Sequence, residues 1–335
     1  MKENKNILTD SFGRQHTYLR ISLTELCNLR CSYCMPAEGI QLLPKSHIMN
    51  YDEVFTIAKT FVDHGVNKIR LTGGEPLVRR DADQIIEKLA SLNIELSITT
   101  NAVIVDRFID CFKKNGVNKI NVSLDSLVPA KFKSITRRDQ FNKVFKNLEL
   151  LIKEGFKVKL NAVLIKGFND DEIIDFIELS KLWPISVRFI EFMPFDGNKW
   201  DRKNMVSLKE ILDTVDRHYG QDQIIRLKDA PNDTSKNYKI KKYEGSFAII
   251  SSVTNPFCDS CNRIRLTANG RIKNCLFSNS ELDLLNPLRN GDSIEPLIEK
   301  AMLSKFKVRG GMDTIEKLER TDLHSQNRSM IRIGG

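Results

Sequence analysis

The sequence predicts an α/β fold of parallel strands. Six short runs rich in β-branched and leucine residues recur through the first two-thirds of the chain, and amphipathic segments with apolar residues at helical spacing lie between them. Gly65, Gly116 and Gly155 each stop an amphipathic segment, and a new strand begins within a few residues of each. Strand, helix and glycine in that order imply βα units, whose parallel strands are expected to be buried on both faces.

The predicted strands are Leu19 to Leu23, Lys68 to Leu71, Glu95 to Thr99, Lys119 to Leu124, Val158 to Leu164 and Ile185 to Ile190. The predicted helices carry DEVFTIAKTFVDHG, DADQIIEKLASL, VDRFIDCFKKNG, KVFKNLELLIKEG and DDEIIDFIELSK. Periodicity alone leaves open a doubly wound sheet, a complete barrel or a partial barrel. In all of them functional groups gather at the carboxyl ends of the strands. There the unusual residues lie: Cys27, Cys31 and Cys34, then Gly73 to Pro76, Thr99 to Asn101, Ser123 with Asp125, and Glu191 to Pro194. Asn161 falls within the fifth strand. After about residue 220 come a polar, lysine-rich loop, short strands bearing Cys258, Cys261 and Cys275, a helical segment around Ile294 to Phe306 and a tail ending RSMIRIGG. The chain thus reads as residues 1–220 and a second module, residues 221–335.

With 335 residues, 41% hydrophobic and 28% charged, the chain can bury a full core, which excludes disorder. No run of eighteen uncharged apolar residues occurs, and MKENKNILTDSFGRQH lacks the apolar stretch of a secretory signal. A cytoplasmic protein without membrane contact is expected. Fifty-two basic against 43 acidic residues give a net charge of +9, which favours an anionic partner. Mixed-sign stretches such as Asp201 to Glu210 read as solvated helix faces. No nucleic-acid recognition motif or aromatic interleaving accompanies the charge, so no nucleic-acid partner is expected and a zinc-and-RNA-binding protein is disfavoured.

Cysteine is more informative. Seven cysteines in such a chain are expected as reduced thiols, and clustered ones as ligands or catalytic groups. Cys27, Cys31 and Cys34 form CNLRCSYC; three thiolates on one loop can hold three corners of a cubane iron–sulfur cluster and leave the fourth iron open. A structural zinc would want a fourth ligand, and none of His16, His47, His64, His218 and His324 has the usual spacing. Cys258 and Cys261 in CDSC, with Cys275 after thirteen further residues, again leave one position unfilled and suggest a second cluster. Cys111 is the odd one out, a small packing residue on a helix. Beside CDSC, Arg263 and Arg265 alternate onto one strand face, suited to a purine or its phosphates. In GGEP, Gly73 and Gly74 would let backbone approach a ligand, Glu75 could accept hydrogen bonds from an ammonium, and Pro76 stiffens the exit.

CNLRCSYC after one strand and GGEP after the next resemble the radical S-adenosylmethionine (SAM) superfamily. LRISLTELCNLRCSYCMP, KIRLTGGEPLVRRD, INVSLDSL, VRFIEFMP, FCDSCNRIRL and the terminal IGG resemble its GTP 3′,8-cyclase family over nearly the whole chain. The resemblance implies a partial (β/α)6 barrel closed by a C-terminal iron–sulfur extension, with two [4Fe-4S] clusters, SAM as cofactor and GTP as substrate. It implies reductive cleavage of SAM, removal of the ribose C3′ hydrogen of GTP by the deoxyadenosyl radical, and attack on guanine C8, the first step of molybdenum cofactor biosynthesis. The first cluster would be held by Cys27, Cys31 and Cys34, and the second by Cys258, Cys261 and Cys275. Tyr33, Gly74, Ser123 and Met193 would contact SAM. Arg20, Arg70, Thr99, Lys159, Arg263, Ile264 and Arg265 would surround GTP, with Arg188 and Asn161 as additions. An external electron donor, hand-over of product to cyclic pyranopterin monophosphate synthase, a homodimer, and a Gly334-Gly335 tail reaching the active site are further implications. One departure stands out: Ala102 follows TTN where the family has Gly, and a positive backbone dihedral there would cost Ala more. The competing reading is a radical SAM peptide-maturation enzyme, although such enzymes usually carry more auxiliary cysteines.

Overall fold

The computed structural model describes residues 6–36, 39–324 and 327–334. The strands form where the pattern places them: β1 (Tyr18–Ser22), β2 (Lys68–Thr72), β3 (Glu95–Thr100), β4 (Lys119–Ser123), β5 (Lys157–Leu164) and β6 (Ser186–Glu191). Between and after them lie α1 (Tyr51–Asp63), α2 (Ala82–Ala90), α3 (Ile109–Lys114), α4 (Pro129–Thr136), α5 (Phe141–Lys153), α6 (Ile173–Leu182) and α7 (Leu208–Tyr219). α1 starts at a capping box, with Asn50 accepting from the Glu53 amide and Glu53 from the Asn50 amide. Ser207 and Glu210 do the same for α7, so each cap supplies about 1 kcal/mol. α7 begins inside the mixed-sign segment, whose alternating charges masked its start.

β1 to β6 are parallel and stand in sequential order. Every right-handed crossover therefore steps the same way, so the helices collect on one face and the sheet curls around the other. A doubly wound sheet needs a reversal of strand order, and none occurs in this run. The chain forms the partial barrel.

The extension continues this sheet. β7 (Ile224–Arg226), β8 (Lys236–Ile240) and β9 (Ser246–Ile250) form an antiparallel meander whose β9 lies parallel to β6. β10 (Arg263–Leu266) lies parallel to β1 and carries β11 (Arg271–Lys273) and β12 (Leu282–Asp283). The result is one 12-stranded sheet with β12 and β7 at its edges, so the extension covers the barrel from both sides without hydrogen-bonded closure. α8 (Leu285–Arg289) and α9 (Glu295–Leu303) then pack outside, and α9 meets β11 and β12.

The strands are buried on both faces, but the two faces differ in kind. Outward residues such as Leu19, Ile21, Ile69, Ile98, Ile120 and Leu160 join Phe61, Phe112 and Phe176 in the apolar core. Truncating one of those phenylalanines to Ala would cost about 3–5 kcal/mol. The inward face is polar, and the register stacks it in rows: Tyr18 opposite Lys68 and Arg263, Arg20 opposite Arg70 and Arg265, Lys159 opposite Asn121, and Asn161 opposite Arg188. Among the described residues, no helix is long and apolar enough to cross a membrane.

Candidate active site

One cavity occupies the inside of the barrel, and both cysteine triplets line it. Tyr33, Gly74, Ser123 and Met193 border it together with Cys27, Cys31 and Cys34. So do Arg20, Arg70, Thr99, Lys159, Arg188, Asn161, Arg263 and Arg265, together with Cys258, Cys261 and Cys275. Ile264 is the exception: strand alternation turns its side chain into the apolar core, away from the cavity. Cys111 is remote, half-buried on α3 with Asn115 against its sulfur.

At the first triplet, the loop after β1 is held by neutral donors. The Leu29 amide donates to Cys27 Sγ at 3.4 Å and Asn101 Nδ2 at 3.7 Å. GGEP lies against this loop, and its glycines, which also border the cavity, make a close contact with the cysteine loop. The Gly74 amide donates to Thr24 O and the Glu75 amide to Leu26 O, each at 2.8 Å. A Cβ on Gly74 would meet Leu26 O at 2.3 Å, and one on Gly73 would meet Thr24 O at 2.7 Å. The close approach is thus between two loops, and it fixes the cysteine loop against the ends of β2 and β3. The Glu75 carboxylate is 1% exposed and accepts from Leu77 N, Thr100 Oγ1 and Asn101 N. Ala102 next to it does adopt the left-handed conformation, at φ +60°, anchored by Thr100 Oγ1 on its amide and Asn147 Nδ2 on its carbonyl.

Carboxylates dominate the electrostatics of this end. Burial pushes Glu75 up to about 7 against its three hydrogen bonds. It also pushes Asp125 up to about 6, although Asp125 accepts from the Val163 amide at 2.9 Å and from Tyr33 Oη at 2.7 Å. Burial, Glu75 and Asp125 raise the first-triplet thiols, with burial the largest cause. Thiolates there would gain from a bound multivalent cation.

The opposite end is cationic and unsatisfied. Arg20 Nε, Arg188 Nε, Arg263 Nη1, Tyr18 Oη, Thr99 Oγ1 and Asn161 Oδ1 are buried polar atoms with no hydrogen-bond partner. Each such atom costs about 1–3 kcal/mol unless something binds it. Burial, then repulsion from neighbouring guanidinium groups, holds Arg20 well below its usual range. Lys159 is lowered to about 7 by burial and by Arg188 and Arg70. Asp233, from the loop before β8, is the single carboxylate among the cavity residues at this end. A polyanion answers the whole set at once.

At the second triplet, the Arg309 amide donates to Cys258 Sγ at 3.4 Å, and Lys305 Nζ lies 3.9 Å from Cys261 Sγ. Burial raises Cys258; at Cys261 burial is opposed by the Lys305 and Arg263 cations, the Arg263 amide and Arg14, which together lower the thiol. Cys275 borders the same end of the cavity as Cys258 and Cys261. The tail ends nearby. Gly334 is buried at φ +81°, its carbonyl accepts from Arg265 Nη1, and a Cβ on it would meet Thr72 Oγ1 at 2.5 Å. Gly335 lies outside the described residues.

Sequence reasoning passed over Tyr18, Lys68, Asp233, Lys305 and Arg309. Tyr18 and Lys68 were legible: each stands two residues before a selected arginine, on the same strand face. Asp233, Lys305 and Arg309 come from loops remote in sequence and carry no such period.

A polar barrel interior with an open cysteine triplet at one strand-end loop defines a radical SAM protein, and residues 21–180 match the Radical SAM superfamily. Residues 185–309 match the family described as Molybdenum Cofactor Synthesis C. The chain is 46% identical over its full length to "GTP 3',8-cyclase, mitochondrial" of Arabidopsis thaliana, covering 86% of that protein. It is 41% identical to "GTP 3',8-cyclase" of Clostridium botulinum (strain Okra / Type B1), covering 98% of this chain and 100% of that one. It belongs to the GTP 3′,8-cyclase family. It is also 46% identical to "Molybdenum cofactor biosynthesis protein 1" of Mus musculus, covering 98% of this chain and 51% of that protein, so the chain spans about half the length of that relative. In fold it is similar to the crystal structure of Streptococcus suis SuiB, with a TM-score of 0.60 and 17% identity, over 89% of this chain and 68% of that one.

Proposed function

We propose that the chain cyclises GTP to (8S)-3′,8-cyclo-7,8-dihydroguanosine 5′-triphosphate, the first step of molybdenum cofactor biosynthesis. One observation carries this reading: a single cavity has a cysteine triplet with Glu75 and Asp125 at one end and, at the other, Arg20, Arg188 and Arg263, each with a buried N–H that has no partner. SAM carries a sulfonium and an ammonium, GTP a triphosphate, and the two ends suit them in that order.

The open cysteine triplets, with Glu75 and Asp125 beside the first, fit the family's cofactors, two [4Fe-4S] clusters with SAM, which supply the radical chemistry when bound. Cys27, Cys31 and Cys34 would hold one cluster; Cys258, Cys261 and Cys275 would hold the other. Tyr33, Gly74, Ser123 and Met193 would frame SAM, with Tyr33 oriented by its hydrogen bond to Asp125. Arg20, Arg70, Lys159, Arg188, Arg263 and Arg265 would bind the triphosphate and purine, while Thr99 and Asn161 offer unpartnered oxygens. The Ile264 side chain takes no part, leaving only its backbone beside GTP. Arg265, gripping Gly334, would align the tail with the same anion. Residues 1–220 thus supply the first cluster and the SAM frame, and residues 221–335 the second cluster and part of the GTP wall. Electrons would come from an external donor and the product would pass to cyclic pyranopterin monophosphate synthase; a homodimer is the proposed assembly.

The test is an anaerobic reaction of iron-reconstituted protein with SAM, a reductant and GTP deuterated at C3′, followed by mass spectrometry. Deuterium in 5′-deoxyadenosine with a cyclised GTP product is expected. SAM cleavage without deuterium transfer overturns the GTP assignment and turns attention to peptide substrates.

A further inference from the structure

The two triplets differ in what donates to their sulfurs. Around Cys27 the donors are an amide and a carboxamide, both neutral. Beside Cys261 stands Lys305, an ammonium only 5% exposed. It faces three acceptors: His16 Nε2 at 2.7 Å, Arg263 O at 3.1 Å and Cys261 Sγ at 3.9 Å. Three donors and three acceptors match one to one.

The other two acceptors are themselves fixed. His16 is fully buried with Nδ1 3.1 Å from Leu8 O, so Nδ1 carries the proton and Nε2 is free to accept from Lys305. Burial first, and the Lys305 ammonium second, lower His16 to about 4, which keeps the ring neutral. Arg14 holds the same region from outside: it pairs with Asp10 at 2.6 Å and donates to Cys258 O and Lys307 O, each at 2.8 Å. The turn of residues 8–16 thus clamps the segment that follows α9 against the second triplet. Such a clamp is more than loop packing requires, because burying an ammonium carries a desolvation cost that neutral packing would avoid.

We propose that Lys305 is a positioning residue for the second cluster: held by His16 and the Arg263 carbonyl, its ammonium donates to the Cys261 thiolate and raises the reduction potential of that cluster. The inference rests on the second triplet's holding an iron–sulfur cluster, as in the function proposed above. A buried cation on a ligand sulfur stabilises the more negative, reduced cluster, and hydrogen bonds to sulfur are an established lever on such potentials.

The test uses the full chain with Cys27, Cys31 and Cys34 replaced by Ala, so that only the second cluster is read, in a redox titration followed by electron paramagnetic resonance. Lys305→Gln is expected to make reduction at least about tenfold less favourable, about 59 mV lower for a one-electron couple. Lys305→Arg, which keeps the charge, is expected to restore most of the shift. An unchanged potential in Lys305→Gln overturns the proposal and leaves the function untouched. Iron-free protein in the triple-Ala background removes the second cluster and the proposal together. If Lys305→Gln fails to fold, pulsed electron paramagnetic resonance on the reduced cluster in protein labelled with ζ-15N lysine decides: a weak 15N coupling that disappears in Lys305→Arg supports the contact, and no such coupling overturns it.

Discussion

The two cysteine triplets face one cavity in opposite electrostatic surroundings. Around Cys27, Cys31 and Cys34 the charged neighbours are carboxylates, and every thiol is raised. Around Cys261 they are Lys305, Arg263 and Arg14, and the thiol is lowered. Identical ligand chemistry is therefore placed in a field that reverses across the barrel. The difference teaches that the triplets are not duplicates: the first suits a cationic partner, and the second sits where an anionic one is drawn in.

The largest effect separates the triplets. Replacing Cys27, Cys31 or Cys34 by Ala is expected to abolish formation of 5′-deoxyadenosine. Replacing Cys258, Cys261 or Cys275 should abolish cyclisation while leaving some SAM cleavage. Equal loss of SAM cleavage in both sets, measured by chromatography of 5′-deoxyadenosine, would break the comparison.

Next is the tail that bridges the ends of β1 and β2 and Arg265. Gly334→Ala forces a Cβ to within 2.5 Å of Thr72 Oγ1 at φ +81°, so turnover should fall about tenfold or more with both clusters retained. Deleting Gly334 and Gly335 should do the same or worse, and iron content measured alongside product separates catalysis from folding.

A smaller effect concerns pH. Lys159, depressed to about 7, is charged in the free protein below that pH and neutral above it. A bound triphosphate favours the charged form, so binding takes up a proton above pH 7. The KM for GTP should therefore rise between pH 7.5 and 9, by at most about tenfold per unit. Lys159→Met should be weaker at pH 7 and flatter over the same range, whereas SAM binding, at the carboxylate end, should show neither change.

The smallest is Ala102→Gly. Relief of the left-handed strain of about 1–2 kcal/mol is offset by chain entropy and the loss of a buried methyl. The midpoint of thermal unfolding should move by only a few degrees and turnover should persist.

How much of this was legible in sequence follows the periods. β1 to β6 and five of the helices follow from apolar spacing and from the glycines at 65, 116 and 155, because those elements bury an apolar face. α4 escaped, since PAKFKSIT buries only Phe132, Ile135 and Thr136. The cysteine loops were visible as unusual residues after strand ends, whereas Arg20, Arg70 and Lys159, which stand within β1, β2 and β5, came from the family resemblance alone. Two features were hidden. The extension reads as a separate module, yet its strands add to both edges of the first sheet, a pairing set by tertiary contact and not by local pattern. The role of GGEP as a brace between loops was equally invisible, because a glycine pressed on backbone and one pressed on a ligand read alike.

The most direct measurement of the opposed fields is equilibrium binding of GTP and of SAM, each alone, to protein carrying Arg20→Met and Arg70→Met. Two lost charge-assisted contacts at about 1.5–3 kcal/mol each should weaken GTP by about a hundredfold or more. The expected result is that loss with SAM affinity unchanged within about twofold. Parallel loss of both ligands, or no loss of GTP, would contradict a cavity divided by charge.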